Sequence, residues 1–163
     1  MPEGYTIGPE DVLSVTLWKE PDMSVESVVV RPDGKISLPL INEVQAAALT
    51  PEQLRAEVTE RAKKFVADPT VSVVVREIRS RRAFITGSIA NPGAFPLGGG
   101  TTVLQLIALA GGLTEFANKK NIVVTRQENG RSIVLPFNYS DIIRGKNLQQ
   151  NVVLRPGDTV VVP

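Results

Sequence analysis

The chain has 163 residues, 42% of them apolar and 21% charged, with a formal net charge of +1. That mixture suits one ordinary folded domain or two small ones, and it excludes both a disordered polyelectrolyte and a bulk field directed at nucleic acid or anionic lipid. Cys and His are both absent, which removes thiol nucleophiles, disulfides, the commonest zinc ligands and the usual general base near neutral pH.

No apolar run approaches the roughly 20 residues of a membrane-spanning helix. The start Met1-Pro2-Glu3-Gly4 lacks the basic residues and apolar segment of a signal peptide. From Pro9-Glu10-Asp11 the chain enters a strand, with Leu13, Val15 and Leu17 on one face and Val12, Ser14, Thr16 and Trp18 on the other. Glu20-Pro21-Asp22 breaks it. Residues 27 to 30 read as a second strand, and Arg31-Pro32-Asp33-Gly34-Lys35 as a turn, because Pro presets φ and Gly permits a positive one. Ile36, Leu38 and Leu40 then alternate back along a partner strand.

Thr50-Pro51-Glu52-Gln53 is a capping box, and Leu54, Val58, Ala62 and Phe65 follow it as one apolar helical stripe. Asp68-Pro69 stops this helix. The stretch from Thr70 to Thr86 contains neither Gly nor Pro and is rich in β-branched residues, so it reads as one long strand or two abutting ones. Asn91-Pro92-Gly93 turns the chain into a short extended piece, Ala94-Phe95-Pro96. Thr102 and Gln105 open a second helix, apolar nearly all round and therefore expected to be buried, which Gly111-Gly112 ends in the left-handed conformation. Residues 122 to 126 and 132 to 136 read as a hairpin around Glu128-Asn129-Gly130. Ser140-Asp141 should cap a single helical turn ended by Gly145. Pro156-Gly157-Asp158 leads into the last strand, repeating the Pro-x-Asp of the first.

The predicted fold is α+β in two small domains, residues 1–80 and 81–163, each holding one main helix against strands. The run "YTIGPEDVLSVTLWKEPDMSVESVVVRPDGKISLPLINEVQAAALTPEQL" resembles the N-terminal domain of bacterial outer-membrane polysaccharide export proteins. "FITGSIANPGAFPL" with "TTVLQLIALAGGLTEFANKKNIVVTR" and "LRPGDTVVVP" resembles the soluble-ligand-binding β-grasp domain that follows it in that family. The motif set carrying the resemblance is Pro9 and Asp11, Asp33-Gly34, Leu49-Thr50, Pro92-Gly93, Gly111-Gly112 and Pro156-Gly157-Asp158. Glu10, Asn42 and Ala48 stand where that family usually has Gly. Glu10 is expected in a type I turn, which needs no positive φ.

The resemblance implies a non-enzymatic, ring-forming structural subunit of a periplasmic, outer-membrane-associated polysaccharide export conduit, homo-oligomeric in the full-length protein. This chain itself is expected to be soluble. The partners so implied are a polysaccharide and an inner-membrane polysaccharide co-polymerase, with no nucleic acid. The alternative is a monomeric sensor that binds a glycan or small molecule through the β-grasp domain.

No catalytic, cofactor or metal site is expected. Asp11 and Asp158 occupy turn positions where Asp caps backbone, so they do not read as a hydrolytic pair. "PLGGGTT" lacks the Lys and the spacing of a phosphate loop. Arg76, Arg79, Arg81 and Arg82 form the only dense basic run; on a strand, Arg79 and Arg81 would share one face and Arg76 and Arg82 the other. These four are the candidate contact for an acidic polysaccharide, held weakly, or for a neighbouring subunit. Of the plausible stacking aromatics, Tyr5, Trp18, Phe95, Phe116 and Tyr139, most are expected in the core.

Overall fold

The computed structural model describes Met1 and residues 4 to 163; Pro2 and Glu3, part of the start read above for a leader segment, lie outside the described residues. The chain forms two compact units, Met1–Ser80 and Arg81–Pro163. Both are α+β, each with its own apolar core.

In the first unit, β1 (Val12–Leu17) is the central strand of a three-stranded antiparallel sheet between β2 (Val25–Val29) and β5 (Val71–Glu77). The core-facing half of its alternation holds, but Val12 and Ser14 on the other face are buried too, and only Thr16 is exposed within the strand. Leu13, Val15 and Leu17 are buried, and they pack with Leu54, Val58 and Ala62 of α1 (Pro51–Ala62). Burying each large side chain contributes ~1.5–3 kcal/mol. The α1 capping box is complete: Gln53 donates its amide to Thr50 Oγ1 at 3.2 Å, and Thr50 donates its own to Gln53 Oε1 at 3.0 Å.

Two details depart from the sequence pattern. Phe65 lies past the end of α1 and is 51% exposed, because the helix closes at Lys63 before a fourth turn carries the stripe that far. The segment after the Asp33-Gly34 turn, β3 (Lys35–Leu38), pairs not with β2 but with an unforeseen strand, β4 (Asn42–Gln45). Leu40 therefore sits in the tight connection between them, exposed and at φ 63°.

The second unit holds a five-stranded mixed sheet. β10 (Thr159–Val162) is central, parallel to β6 (Arg82–Gly87) and antiparallel to β8 (Ile122–Glu128). The edges are β7 (Gly93–Pro96) beside β6 and β9 (Arg131–Phe137) beside β8. The Thr70–Thr86 stretch is thus two strands in two different sheets. Asn129 and Gly130, at φ 52° and 76°, form the two-residue turn that joins β8 to β9.

The helix α2 (Val103–Leu109) buries Val103, Leu106 and Ile107, while Leu109 is 58% exposed; the helix is covered on one side only. It ends as a Schellman motif, with Gly112 donating to the Ile107 carbonyl at 2.9 Å and Gly111 to that of Ala108 at 3.1 Å. The last short helix, α3 (Tyr139–Ile143), is capped by Asn138, whose side chain accepts from the Asp141 amide at 3.1 Å. Ser140 and Asp141, expected as the cap, lie inside the turn.

The three residues that the resemblance sets at positions usual for glycine share one property. Glu10, Asn42 and Ala48 have φ of 75°, 67° and 69°. Asn tolerates that region, but Ala and Glu are strained there by ~1–2 kcal/mol. Ala48→Gly should raise stability by about 0.5 kcal/mol, since relief of that strain exceeds the ~0.5–1 kcal/mol that Gly costs through unfolded-chain entropy. A higher urea midpoint at unchanged slope checks this; a lower one would show that the Ala48 methyl contributes more than its backbone costs.

Candidate functional site

The two Pro-x-Asp segments fold into the same local device. Gly8-Pro9-Glu10-Asp11 closes with the Asp11 amide donating to the Gly8 carbonyl at 3.2 Å, and the Gly8 amide donates to Asp11 Oδ2 at 3.0 Å. Arg155-Pro156-Gly157-Asp158 does likewise, at 3.0 Å and 2.8 Å. In both, the third residue has positive φ, 75° at Glu10 and 91° at Gly157, the signature of a type II turn. The type I turn expected at Glu10 is therefore corrected. The Glu10 amide donates to the Val30 carbonyl at 2.9 Å, a tertiary bond that holds the peptide in the costlier form.

What the two carboxylates do next differs. Asp11, fully buried, accepts from Tyr5 Oη at 2.6 Å, from the amides of Arg79 and Ser80 at 2.8 and 2.7 Å, and from Ser80 Oγ at 2.9 Å. Burial by itself raises its pKa, but the Tyr5 hydroxyl and the Gly8 and Ser80 donors outweigh that and hold the carboxyl below its ordinary value. Asp158, 1% exposed, instead meets the guanidinium of Arg126 side-on. Nε donates to Oδ1 at 3.1 Å and Nη2 to Oδ2 at 2.7 Å, while Nη2 also donates to the Val153 carbonyl at 3.1 Å. That bidentate partner raises the Arg126 pKa. Both Asp residues are spent on protein partners, each within its own unit. Their chemistry is that of clasps.

The remaining motif residues are structural too. Asp33 pairs with Arg31, which reaches Glu43 at 2.9 Å and so ties the turn to β4; the Arg31 contact lowers the exposed Asp33 carboxyl to about 2. Pro92 and Gly93 turn the chain into β7. "PLGGGTT" does not make a phosphate cradle, because the first amides of α2 are all engaged. Val103 donates to the Val152 carbonyl, Leu104 to Asn151 Oδ1, Gln105 to Thr102 Oγ1 and Leu106 to the Thr102 carbonyl.

The boundary after Ser80 divides the arginine run, with Arg76 and Arg79 in the first unit and Arg81 and Arg82 in the second. Arg79 and Arg81 lie outside any strand, so alternation does not sort the four onto two faces. Arg79 pairs with Glu77 at 2.6 Å, and Arg76 is exposed on β5. Nε of Arg81 is buried with no hydrogen-bond partner among the described residues.

The aromatics are less buried than expected. Tyr5 is core, and Phe95 and Tyr139 pack partly against the second core. Trp18 is 72% exposed and Phe116 83%. Trp18 follows the last residue of β1 and lines a cleft of about 550 Å³ on the first unit, together with Thr16, Lys19, Glu20, Glu26 and Ser72. Sequence reasoning missed this cleft. The available signal was the even-numbered register that puts Thr16 and Trp18 on the face away from the core. No helix among the described residues is long and apolar enough to cross a membrane.

Comparison with known proteins matches residues 1–76 to the family described as polysaccharide biosynthesis/export protein, and residues 82–136 to the SLBB domain. The chain is 26% identical to EPS I polysaccharide export outer membrane protein EpsA of Ralstonia nicotianae, over 97% of its own length and 47% of the relative's. It is 30% identical to polysialic acid transport protein KpsD of Escherichia coli, over 97% of the chain and 28% of that protein. Capsule polysaccharide export outer membrane protein CtrA of Neisseria meningitidis is 26% identical over 98% of the chain and 46% of its own length. The chain thus spans about half the length of these relatives or less.

Proposed function

The chain joins a polysaccharide biosynthesis/export domain to an SLBB domain and so belongs to the polysaccharide export family; on that premise we propose that it is the structural part of a polysaccharide export conduit. In this reading the full-length protein works in the periplasm at the outer membrane as a closed homo-oligomeric ring, served by an inner-membrane co-polymerase. The observation that carries it is the order of the two domains within one chain, matched along nearly its whole length by relatives named for polysaccharide export or polysialic acid transport. The chemistry agrees. The most buried carboxylates are consumed as clasps, so the residues that would otherwise invite a hydrolytic reading are committed to holding each unit rigid.

Arg76, Arg79, Arg81 and Arg82 are proposed to touch an acidic polymer or a neighbouring subunit weakly, since exposed ion pairs contribute ~1 kcal/mol or less and are screened by salt. The test is deletion of these 163 residues from the full-length protein in the organism that makes it. Polymer should be retained inside the cell and lost from the surface, and native mass spectrometry of the intact protein should show a closed ring. Surface polymer at the parental level would overturn the reading. An intact protein that stays monomeric and binds a glycan at micromolar concentration through residues 81–163 would favour the sensor.

A further inference from the structure

We infer that the cleft beside Trp18 is a binding site for neutral hexopyranose units of a glycan chain. The inference deepens the export reading and rests on it for the polymer's presence, but its geometry belongs to the first unit alone.

The indole of Trp18 is 72% exposed, in a chain that otherwise buries the apolar residues of β1. Around it stand polar groups held in reserve. Among the described residues, no hydrogen bond or ion pair engages the side chains of Thr16, Lys19, Glu20, Glu26 or Ser72, although all five line the same cleft. A flat apolar ring bordered by uncommitted hydroxyls, carboxylates and an ammonium suits a pyranose. One sugar face presents C–H groups to the indole, and the equatorial hydroxyls at its rim both donate and accept.

The same features argue against a second copy of the protein as occupant. The core of a protein interface is depleted of charge, and covering Lys19, Glu20 and Glu26 with protein would strip water from three charges that have no partner among the described residues. A sugar leaves them wet. Two carboxylates against one ammonium also disfavour an acidic residue at this spot, so the sugar placed on Trp18 is neutral, whatever the charge of the polymer elsewhere.

The cleft is built before any ligand arrives. Trp18 leads directly into Lys19, which holds φ 62°, a costly value for a residue with a side chain. The reversal is fastened by Ser24: its Oγ accepts from the Leu17 amide at 2.9 Å and donates to the Glu20 carbonyl at 2.8 Å. Met23 is buried beneath it, and the Trp18 amide donates to the Thr70 carbonyl at 2.9 Å. A site fixed in this way loses little freedom on binding, which is how one aromatic platform with a few polar groups reaches usable affinity. The platform is single and open, so the affinity stays in the millimolar range that lets a passing polymer go.

Trp18 is the sole tryptophan, so intrinsic fluorescence reads the site directly. The 163-residue chain is titrated with maltohexaose, laminarihexaose, cellohexaose, chitohexaose and a galactohexaose. At least one should shift Trp18 emission to the blue, saturating at millimolar sugar and unchanged by about 0.5 M salt. NMR should map the change to the indole and to the amides of Thr16 and Ser72. Trp18→Ala, followed by NMR and shown folded by circular dichroism, should bind about tenfold more weakly or worse, while Trp18→Phe retains part of the affinity. An indole silent to every sugar up to its solubility overturns the proposal. So does a blue shift that grows with protein concentration in the absence of sugar, since a second copy would then be the occupant. If deletion abolishes export but the indole is silent, the cleft is wrong and the export reading stands. Sugar bound at Trp18 in a protein whose deletion leaves export intact would do the opposite, keeping the cleft and sinking the export reading.

Discussion

Asp11→Ala should cost the first unit about 3–5 kcal/mol, because it removes the shared acceptor from a whole set of buried and part-buried donors at once. The carboxylate accepts from Tyr5, Gly8, Arg79 and Ser80, the last through both its amide and its hydroxyl. Ala withdraws that acceptor from all of them in one step. Against the 5–15 kcal/mol typical of a whole domain, this is the difference between folded and marginal. Urea denaturation should show the lowered midpoint, and hydrogen exchange should place the lost protection in residues 4 to 80. An unchanged midpoint would mean that water takes the place of the carboxylate.

The same residue sets an acid limb. Its folded pKa lies below the ordinary 3.8, so its stabilisation is present in full above that value and is lost as pH falls through the lower, folded one. Asp11→Asn, which removes the titration, should flatten stability against pH in that acid window while lowering it at neutrality.

Arg126→Met should cost a similar 3–5 kcal/mol in the second unit, for the converse reason: it leaves a buried carboxylate with no counter-charge. Asp158 is 1% exposed and, among the described residues, keeps only the Arg155 amide once the guanidinium has gone. Arg126→Lys should fail almost as badly, since an ammonium cannot reproduce the two parallel bonds of the fork or reach the Val153 carbonyl at the same time. Arg126→Met with Asp158→Asn should recover part of the loss. A double-mutant cycle measures that coupling directly, and strict additivity would show that the pair is not a unit.

What was legible in the sequence is what is decided within three or four residues. Thr50 with Gln53, Thr102 with Gln105, and Asn129-Gly130 between alternating strands each form from neighbours alone, so the pattern names them without knowledge of the fold. Leu13, Val15 and Leu17 were equally plain from their period of two, although Val12 and Ser14 on the other face are buried as well. The failures lie where distant chain decides. Glu10 suits a type I turn locally, and its left-handed φ comes from the fold closing around Val30 and Asp11. Arg126 looks like an ordinary alternating strand residue, and only the pairing of β8 with β10 brings it to Asp158, 32 residues on. Trp18 was one of five candidate stacking aromatics, and the pattern could not single it out because large aromatics are ordinarily worth burying. Its cleft exists because β1 ends one residue earlier and the chain reverses at Lys19.

The Asp11 clasp also bears on how the first unit comes apart. Its carboxylate joins amides 68 and 69 residues further along the chain, so the contact cannot form until nearly the entire unit is in place. Closing so long a loop is entropically slow, and local turns and the α1 cap have no need to wait for it. The bonds from Arg79 and Ser80 therefore belong to the finished state and not to the folding barrier. Substituting Asp11 should speed unfolding by most of the lost free energy while refolding proceeds at nearly the parental rate. The carboxylate acts as a latch on lifetime, keeping a unit shut that would otherwise open and close often.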